Sequence, residues 1–169
     1  RVYECRYPSR SMQSGRGARK SPFHERLAAR GAYFRDVSGW ESPGWYAPDG
    51  QDPGIQAYSW SRENWFEWSA AEHRACREGV IVMDMSFMGK FLVQGRDAGA
   101  FLNYLSANDV DAGDGRITYT QWLNEDGRLE ADLTVIRFDA EKFMVVATDT
   151  AHRHVETWMR RHIRDDQHV

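Results

Sequence analysis

The sequence predicts an α+β fold in which helices pack on one side of a mainly antiparallel sheet. Two β-prone runs flank the turn-forming residues 124–127, which is the pattern of an antiparallel hairpin. Further short apolar runs occur at residues 80–85, 90–94 and 142–148. Segments with a helical spacing of apolar residues lie among them, so the predicted order is helix, strands, helix, hairpin, strand, helix.

The N-terminal part of the chain is polar and predicts one short helix. Residues 1–20 are basic and irregular, as in a solvated linker. Ser21 and Pro22 suit the start of a helix over residues 23–30, and a glycine follows it. Residues 35–61 combine turn-forming and aromatic residues, so either a linker wrapped on a domain or a ligand-facing loop fits them.

A longer helix and two strands come next. Residues 61–79 predict a helix that Ser61 or Asn64 caps at its start. The apolar run over residues 80–85 predicts a buried strand, and residues 90–94 predict a second strand. These segments begin the predicted domain.

The remaining elements surround the hairpin. Asp97 is the predicted cap of a helix that ends near residue 105. Residues 108–115 carry aspartates, but their spacing is not that of a calcium loop, so a polar turn is predicted. After the hairpin, residues 142–148 predict a strand, and Thr150 begins a final amphipathic helix.

Length, charge and composition restrict the function. The 169 residues suffice for one core, or for one core with an appended segment. A net charge of −3 gives no reason to expect nucleic acid or an anionic membrane as a partner. No apolar run reaches transmembrane length, and the histidines and cysteines lack metal-ligand spacing, so we expect no specific metal. Most of the polarity precedes residue 64, where we expect the domain to begin.

Asp132 is the unusual residue of the hairpin. Strand alternation separates the apolar face of its strand from a second face that carries Glu130, Asp132, Thr134 and Ile136. An aspartate is unfavourable inside a strand, and a buried unpaired carboxylate is costly. Either this face is solvated and Asp132 is an ordinary edge residue, or the face lines a polar pocket.

Three motifs carry a resemblance to a known family. Residues 82–88 read V-M-D-M-S-F-M, residues 105–110 read L-S-A-N-D-V, and residues 123–135 read L-N-E-D-G-R-L-E-A-D-L-T-V. In this order they resemble motifs of the aminomethyltransferase family, which includes the T-protein of the glycine cleavage system. Phe87 replaces the histidine of the first family motif, and Arg128 replaces the second glycine of the last.

A narrower resemblance lies in residues 21–66. The segments S-P-F-H-E-R-L, G-A-Y-F, G-W-E-S-P and N-W-F resemble the join between the flavin and folate domains of dimethylglycine and sarcosine dehydrogenases. This resemblance implies that residues 1–63 are the tail of a flavin-oxidoreductase region with its linker. Residues 64–169 would be the N-terminal part of an aminomethyltransferase-type folate-binding domain. The chain then looks like a fragment, without the flavin domain and the C-terminal folate domain of its parent.

The resemblance also implies one-carbon transfer to tetrahydrofolate. In the dehydrogenases, a flavin domain oxidises an N-methylated amine and the folate domain captures the carbon as methylenetetrahydrofolate. Asp132 falls at the family's catalytic carboxylate, which would accept a hydrogen bond and stabilise positive charge. Met88, Tyr119, Thr134 and Thr148 fall at cofactor-binding positions, Tyr119 at that of a ring-stacking tyrosine. Thr148 stands where stand-alone T-proteins have asparagine.

Two functional interpretations stay open. The chain is either the folate-binding part of an FAD-dependent N-demethylating dehydrogenase or part of a non-catalytic protein resembling the pyruvate dehydrogenase phosphatase regulatory subunit. The chain contains no G-x-G-x-x-G motif, so we expect another part of the parent to bind FAD. The resemblance implies a location in the bacterial cytoplasm or the mitochondrial matrix.

Overall fold

The computed structural model describes residues 14–54 and 59–169. The predicted linker over residues 1–20 and the predicted loop over residues 35–61 therefore lie partly outside the described residues. The chain divides into two compact units, one ending at Phe87 and the other running from Met88. Within the described ranges, every helix falls short of the length and apolar character needed to cross a bilayer.

The first unit contains two helices and one β-hairpin. Its elements are α1 (His24–Ala28), β1 (Ala32–Val37), β2 (Trp40–Tyr46) and α2 (Phe66–Glu78). Both predicted helices are present, with shorter bounds. The hairpin was not predicted.

The β1–β2 hairpin corrects the prediction of a loop over residues 35–61. Val37 pairs with Trp40, which leaves Ser38 and Gly39 as a two-residue turn. Both turn residues have positive φ, 53° and 85° respectively. A two-residue turn with this backbone matches the twist of its strands, so the chain pairs in spite of its many turn-forming residues.

An aromatic stack explains why this unit needs its tryptophans. Trp45 is 1% exposed. Its ring lies 4.0 Å from that of Tyr33 and 5.3 Å from that of Trp65, with interplanar angles of 6° and 13°. The stack joins both strands of the hairpin to the start of α2 and buries apolar surface in an otherwise polar segment.

An ion pair also ties the hairpin to the preceding segment. The Glu41 carboxylate accepts two hydrogen bonds from the Arg16 guanidinium, at 2.9 and 2.6 Å, and a third from the Gly17 N–H at 2.5 Å. The Glu41 side chain is 8% exposed. The hydrogen bonds from Arg16 lower the pKa of Glu41 against the opposing effect of burial.

The prediction of a buried strand over residues 80–85 is wrong. The segment has no strand structure, and Val80 and Val82 are 93% and 97% exposed. Backbone groups of a strand need a partner strand, and no described strand pairs with this segment. Its apolar side chains therefore form exposed surface.

The second unit is a four-stranded sheet with two helices. Its elements are β3 (Gly89–Gln94), α3 (Ala98–Leu105), β4 (Ile117–Leu123), β5 (Leu129–Asp139), β6 (Lys142–Ala147) and α4 (His152–His162). The strand order is β3-β6-β5-β4, and every neighbouring pair is antiparallel. This arrangement confirms the predicted α+β fold.

The core lies between one face of this sheet and the two helices. Phe101 of α3 and Val155 of α4 are 1% and 0% exposed, and they pack in one cluster with Leu133 and Val135 of β5. The predicted apolar face of the hairpin is thus the buried one. The opposite face of the sheet, called the outer face below, has exposed or half-buried side chains on all four strands.

The predicted capping residues act only in part: Ser21 Oγ accepts the Phe23 N–H at 3.2 Å just before α1. Asp97 precedes α3, but its carboxylate accepts the backbone N–H of His168 at 2.8 Å and makes no cap hydrogen bond. Ser21, Ser61 and Thr150 lie before the N-cap positions, which are occupied by Phe23, Trp65 and Ala151. Non-local partners and packing decide these helix ends, which local sequence does not specify.

Candidate functional site

Asp132 lies in β5 and belongs to the outer face of the sheet. In the β4–β5 pairing, Gln121 is opposite Asp132 and Tyr119 is opposite Thr134. On the other side of β5, Val146 of β6 is opposite Thr134. Since alternate residues of a strand share a face, these side chains form one continuous patch.

Thr148 and Met88 lie one residue beyond the paired ends of β6 and β3. Ala147 is the last paired residue of β6 and pairs with both neighbouring strands. Thr148 and Met88 therefore adjoin the paired residues Ala147 and Gly89, and Asp132 adjoins Leu133, the partner of Ala147 in β5. The Thr148 hydroxyl lies 3.0 Å from that of Thr150. The fold therefore brings all five predicted site residues to one end of the outer face.

Two side chains of β4 hold the Asp132 carboxylate. The Tyr119 hydroxyl donates a hydrogen bond to Asp132 Oδ2 at 2.8 Å, and Gln121 Nε2 donates a weaker one to Oδ1 at 3.4 Å. The hydrogen bond to Asp132 raises the pKa of Tyr119. Asp132 itself is exposed. A carboxylate has about four lone-pair sites, so Asp132 keeps capacity to accept hydrogen bonds from a ligand.

Sequence reasoning missed Gln121. The signal was available, because Gln121 is two residues from Tyr119 and so shares its strand face. What local sequence did not supply was the hairpin register that sets Gln121 opposite Asp132. Tyr119, which the resemblance places at a ring-stacking position, also holds Asp132 through its hydroxyl, and the residue is 61% exposed.

The turn motif of the hairpin has a structural explanation. Asn124 Oδ1 accepts the N–H groups of Asp126 and Arg128, at 3.0 and 2.9 Å. Gly127 has a φ of +74°, a conformation that glycine adopts without strain. Asn124 and Gly127 thereby close the turn and fix the register that positions Asp132.

Glu130 corrects one detail of the predicted strand faces. Trp122 pairs with Ala131 and Leu123 pairs with Leu129, which leaves Glu130 as the extra residue of a β-bulge. Its carboxylate lies 2.9 Å from Nε2 of His154 in α4. Glu130 therefore contacts the helix, and the face predicted to carry it begins only at Asp132.

An apolar row crosses the outer face beside the Asp132 patch. Leu92 is opposite Met144, Met144 is opposite Ile136, and Ile136 is opposite Ile117. Leu92 and Ile117 at its two ends are 56% and 66% exposed. The outer face thus joins a polar end, which contains one carboxylate, to an apolar surface. Among the described residues no group of three or more His, Cys, Asp or Glu side chains could hold a metal ion.

Comparison with known proteins identifies the family. The GCVT N-terminal domain family matches residues 23–169. The chain belongs to this family. Its fold is also that of the glycine cleavage system aminomethyltransferase T from Bartonella henselae, with a TM-score of 0.72 and 22% identity over 89% of this chain and 37% of that one.

Curated proteins that resemble the chain are longer than it is. The 4-methylaminobutanoate oxidase (formaldehyde-forming) of Paenarthrobacter nicotinovorans is 36% identical over 95% of this chain and 19% of its own length. The mouse mitochondrial pyruvate dehydrogenase phosphatase regulatory subunit is 31% identical over 99% of this chain and 20% of its own. Human mitochondrial sarcosine dehydrogenase is 34% identical over 80% of this chain and 17% of its own length. The chain spans a fifth or less of these relatives.

Proposed function

We propose that the outer face binds tetrahydrofolate and that this GCVT-type domain is the one-carbon-transfer part of an FAD-dependent N-demethylating dehydrogenase. The parent would be of the dimethylglycine or sarcosine type. The observation that carries the proposal is the exposed Asp132 carboxylate, held by Tyr119 and Gln121. Two relatives are sarcosine and dimethylglycine dehydrogenases by name, which supports the choice of parent.

The chemistry required of Asp132 is electrostatic. Bound tetrahydrofolate would supply the nitrogens that accept the one-carbon unit. A fixed carboxylate near those nitrogens accepts a hydrogen bond and stabilises positive charge as the C–N bond forms. Tyr119 and Gln121 orient the carboxylate before the ligand arrives, so little reorganisation remains for the reaction itself.

The surroundings of Asp132 fit a flat heteroaromatic ligand. Met88 is a flexible thioether that suits apolar contact with a ring. Thr134 lies two residues from Asp132 on the same face, and Thr148 follows Ala147, which pairs with Leu133 next to Asp132. These two threonines would offer hydroxyl groups to the edge of the ligand. The neighbouring apolar row would contact the less polar parts of the ligand.

The rest of the reaction belongs to other parts of the parent. Residues 1–63 would be the end of the flavin region and its linker, and residues 64–169 the start of the folate-binding domain. FAD and the N-methylated amine would bind outside this segment. The parent would act in the bacterial cytoplasm or the mitochondrial matrix, since similar proteins include a bacterial oxidase and mitochondrial dehydrogenases.

A non-catalytic role is the second candidate. The regulatory subunit of pyruvate dehydrogenase phosphatase aligns with 99% of this chain. A regulatory parent would need neither bound folate nor a flavin that reacts with an N-methylated amine. The same assay distinguishes the two candidates.

The test uses the full-length parent with sarcosine or dimethylglycine. Asp132→Asn should leave flavin reduction by the amine nearly unchanged, because oxidation occurs elsewhere. It should lower the rate of methylenetetrahydrofolate formation by about 10²–10³-fold, the usual cost of losing an electrostatic partner at the reacting centre. The one-carbon unit should then appear as formaldehyde.

Asp126→Asn is the matched control. It removes the same charge from an exposed position in the hairpin turn and should keep the wild-type product ratio. Full coupling to tetrahydrofolate in Asp132→Asn would remove Asp132 from the mechanism. If the wild-type parent neither oxidises these amines nor binds tetrahydrofolate, the regulatory candidate replaces the enzymatic one.

A further inference from the structure

The first unit contains a cavity that the proposed folate site does not use. It lies between α1 and the segment that follows α2. Phe23 and Leu27 form one wall, and Val82 and Met83 form another. Val82 and Met83 are 97% and 66% exposed, so an apolar ligand in the cavity would remove their surface from water.

The volume that belongs to this cavity is 440 Å³. Ligand cavities of proteins typically measure about 300–1,000 Å³, so 440 Å³ suits a small molecule such as one ring with a short side chain.

Two arginines line the same cavity. Arg26 lies in α1 and Arg30 in the turn that follows it, four residues apart and so on the same side of a helical turn. Among the described residues, neither guanidinium has a hydrogen bond or an ion pair. Two like charges at this spacing repel each other, and an anion between them would offset that repulsion.

The remaining polar groups of the cavity leave an excess of positive charge. Tyr46 lines it, and the Tyr46 hydroxyl has no hydrogen-bond partner among the described residues. Burial, with Glu72 and Asp84 nearby, raises the pKa of Tyr46, so the phenol stays a hydrogen-bond donor. Asp84 also lines the cavity, and its Oδ1 accepts the Ser86 N–H at 3.0 Å. One carboxylate against two guanidinium groups favours a ligand with a single negative charge.

The geometry points to a binding site for a small apolar carboxylate in this cavity. The carboxylate would bind between Arg26 and Arg30, and the apolar body would contact Phe23, Leu27 and Met83. Arginine suits this role because its planar donors match the two oxygens of a carboxylate. The apolar walls disfavour a polyanion such as nucleic acid, and the arginines disfavour an amine.

Calorimetric titration of the 169-residue chain with 3-phenylpropionate tests this site. We expect saturable binding with one molecule per chain. 3-Phenylpropanamide has the same shape without the charge and should bind at least about tenfold more weakly, as expected for the loss of a charge-assisted hydrogen bond.

Variants locate the site. Arg26→Gln and Arg30→Gln should each weaken binding of the acid about tenfold, because each removes one charged partner. Arg77→Gln removes the same charge from the last turn of α2 and should leave affinity unchanged. Circular dichroism of each variant checks that the chain still folds.

Three results would overturn the assignment. The amide could bind as tightly as the acid, or both arginine variants could bind like Arg77→Gln. The third is that no saturable binding occurs at acid concentrations up to about 10 mM, so that the dissociation constant would lie above the millimolar range. In that last case a protein segment, and not a small molecule, would be the occupant of the cavity.

Discussion

Arg137 should contribute more to stability than any surface ion pair of the second unit. Its side chain is 15% exposed, and its Nε donates to Asp114 Oδ1 at 3.0 Å. Its Nη1 donates to the Asp111 carbonyl oxygen at 2.5 Å and also to the Asp111 carboxylate. One guanidinium of β5 thus holds two of the three aspartates in the loop before β4.

The magnitude of its loss follows from these contacts. A hydrogen bond to a charged group contributes about 1.5–3 kcal/mol, and an exposed ion pair contributes about 0–1 kcal/mol. The side chain of Asp114 is 67% exposed and that of Asp111 is 42% exposed. We therefore assign the larger free-energy contribution only to the contacts with Asp111. Arg137→Met should therefore lower the free energy of unfolding by about 2–3 kcal/mol.

Urea unfolding followed by far-UV circular dichroism measures this difference. Arg137→Lys should recover only part of it, because lysine keeps the charge but loses the planar fork of donors. Arg160→Met is the control: Arg160 is 75% exposed and pairs with Glu156 four residues earlier. That pair should contribute about 0.3–0.5 kcal/mol.

The result that refutes this reasoning is a small effect. If Arg137→Met costs no more than Arg160→Met, the loop does not depend on the guanidinium. The bound loop also matters for the candidate site, because Asn108 at its start donates to the Tyr119 carbonyl oxygen at 2.9 Å. Hydrogen exchange of the Val110 amide, which donates to Asn103 Oδ1, should quicken in Arg137→Met.

Three further predictions concern titration and domain organisation. In a tyrosine NMR titration, the pKa of Tyr119 should lie above the ordinary value, and Asp132→Asn should bring it down; an unchanged titration would contradict their hydrogen bond. Glu41→Gln should destabilise the chain at neutral pH. Because the pKa of Glu41 is lowered, that stabilisation is complete above about pH 4.3 and is lost as the pH falls through the lowered pKa, so wild type and variant should converge in acid. Limited proteolysis should cut first within residues 1–60 or in the exposed run over residues 80–85, and early cuts within residues 89–147 would contradict the domain assignment.

Local sequence determined the elements whose signals are complete within a few residues. The alternation in β5 correctly separated the buried Leu133 and Val135 from the exposed Asp132. Asn124 and Gly127 predicted the turn correctly, because both residues act within the turn itself. The fold class followed from the order of these elements.

Tertiary structure decided everything that needed a distant partner. The run over residues 80–85 has strand-like composition, yet it stays exposed because composition does not supply a neighbouring strand. The bulge at Glu130 turned its carboxylate to His154, and the register of the hairpin set Gln121 opposite Asp132. Pairing across a sheet depends on residues that are far apart in sequence. The local pattern therefore identified the carboxylate, whereas only the tertiary structure showed which groups hold it.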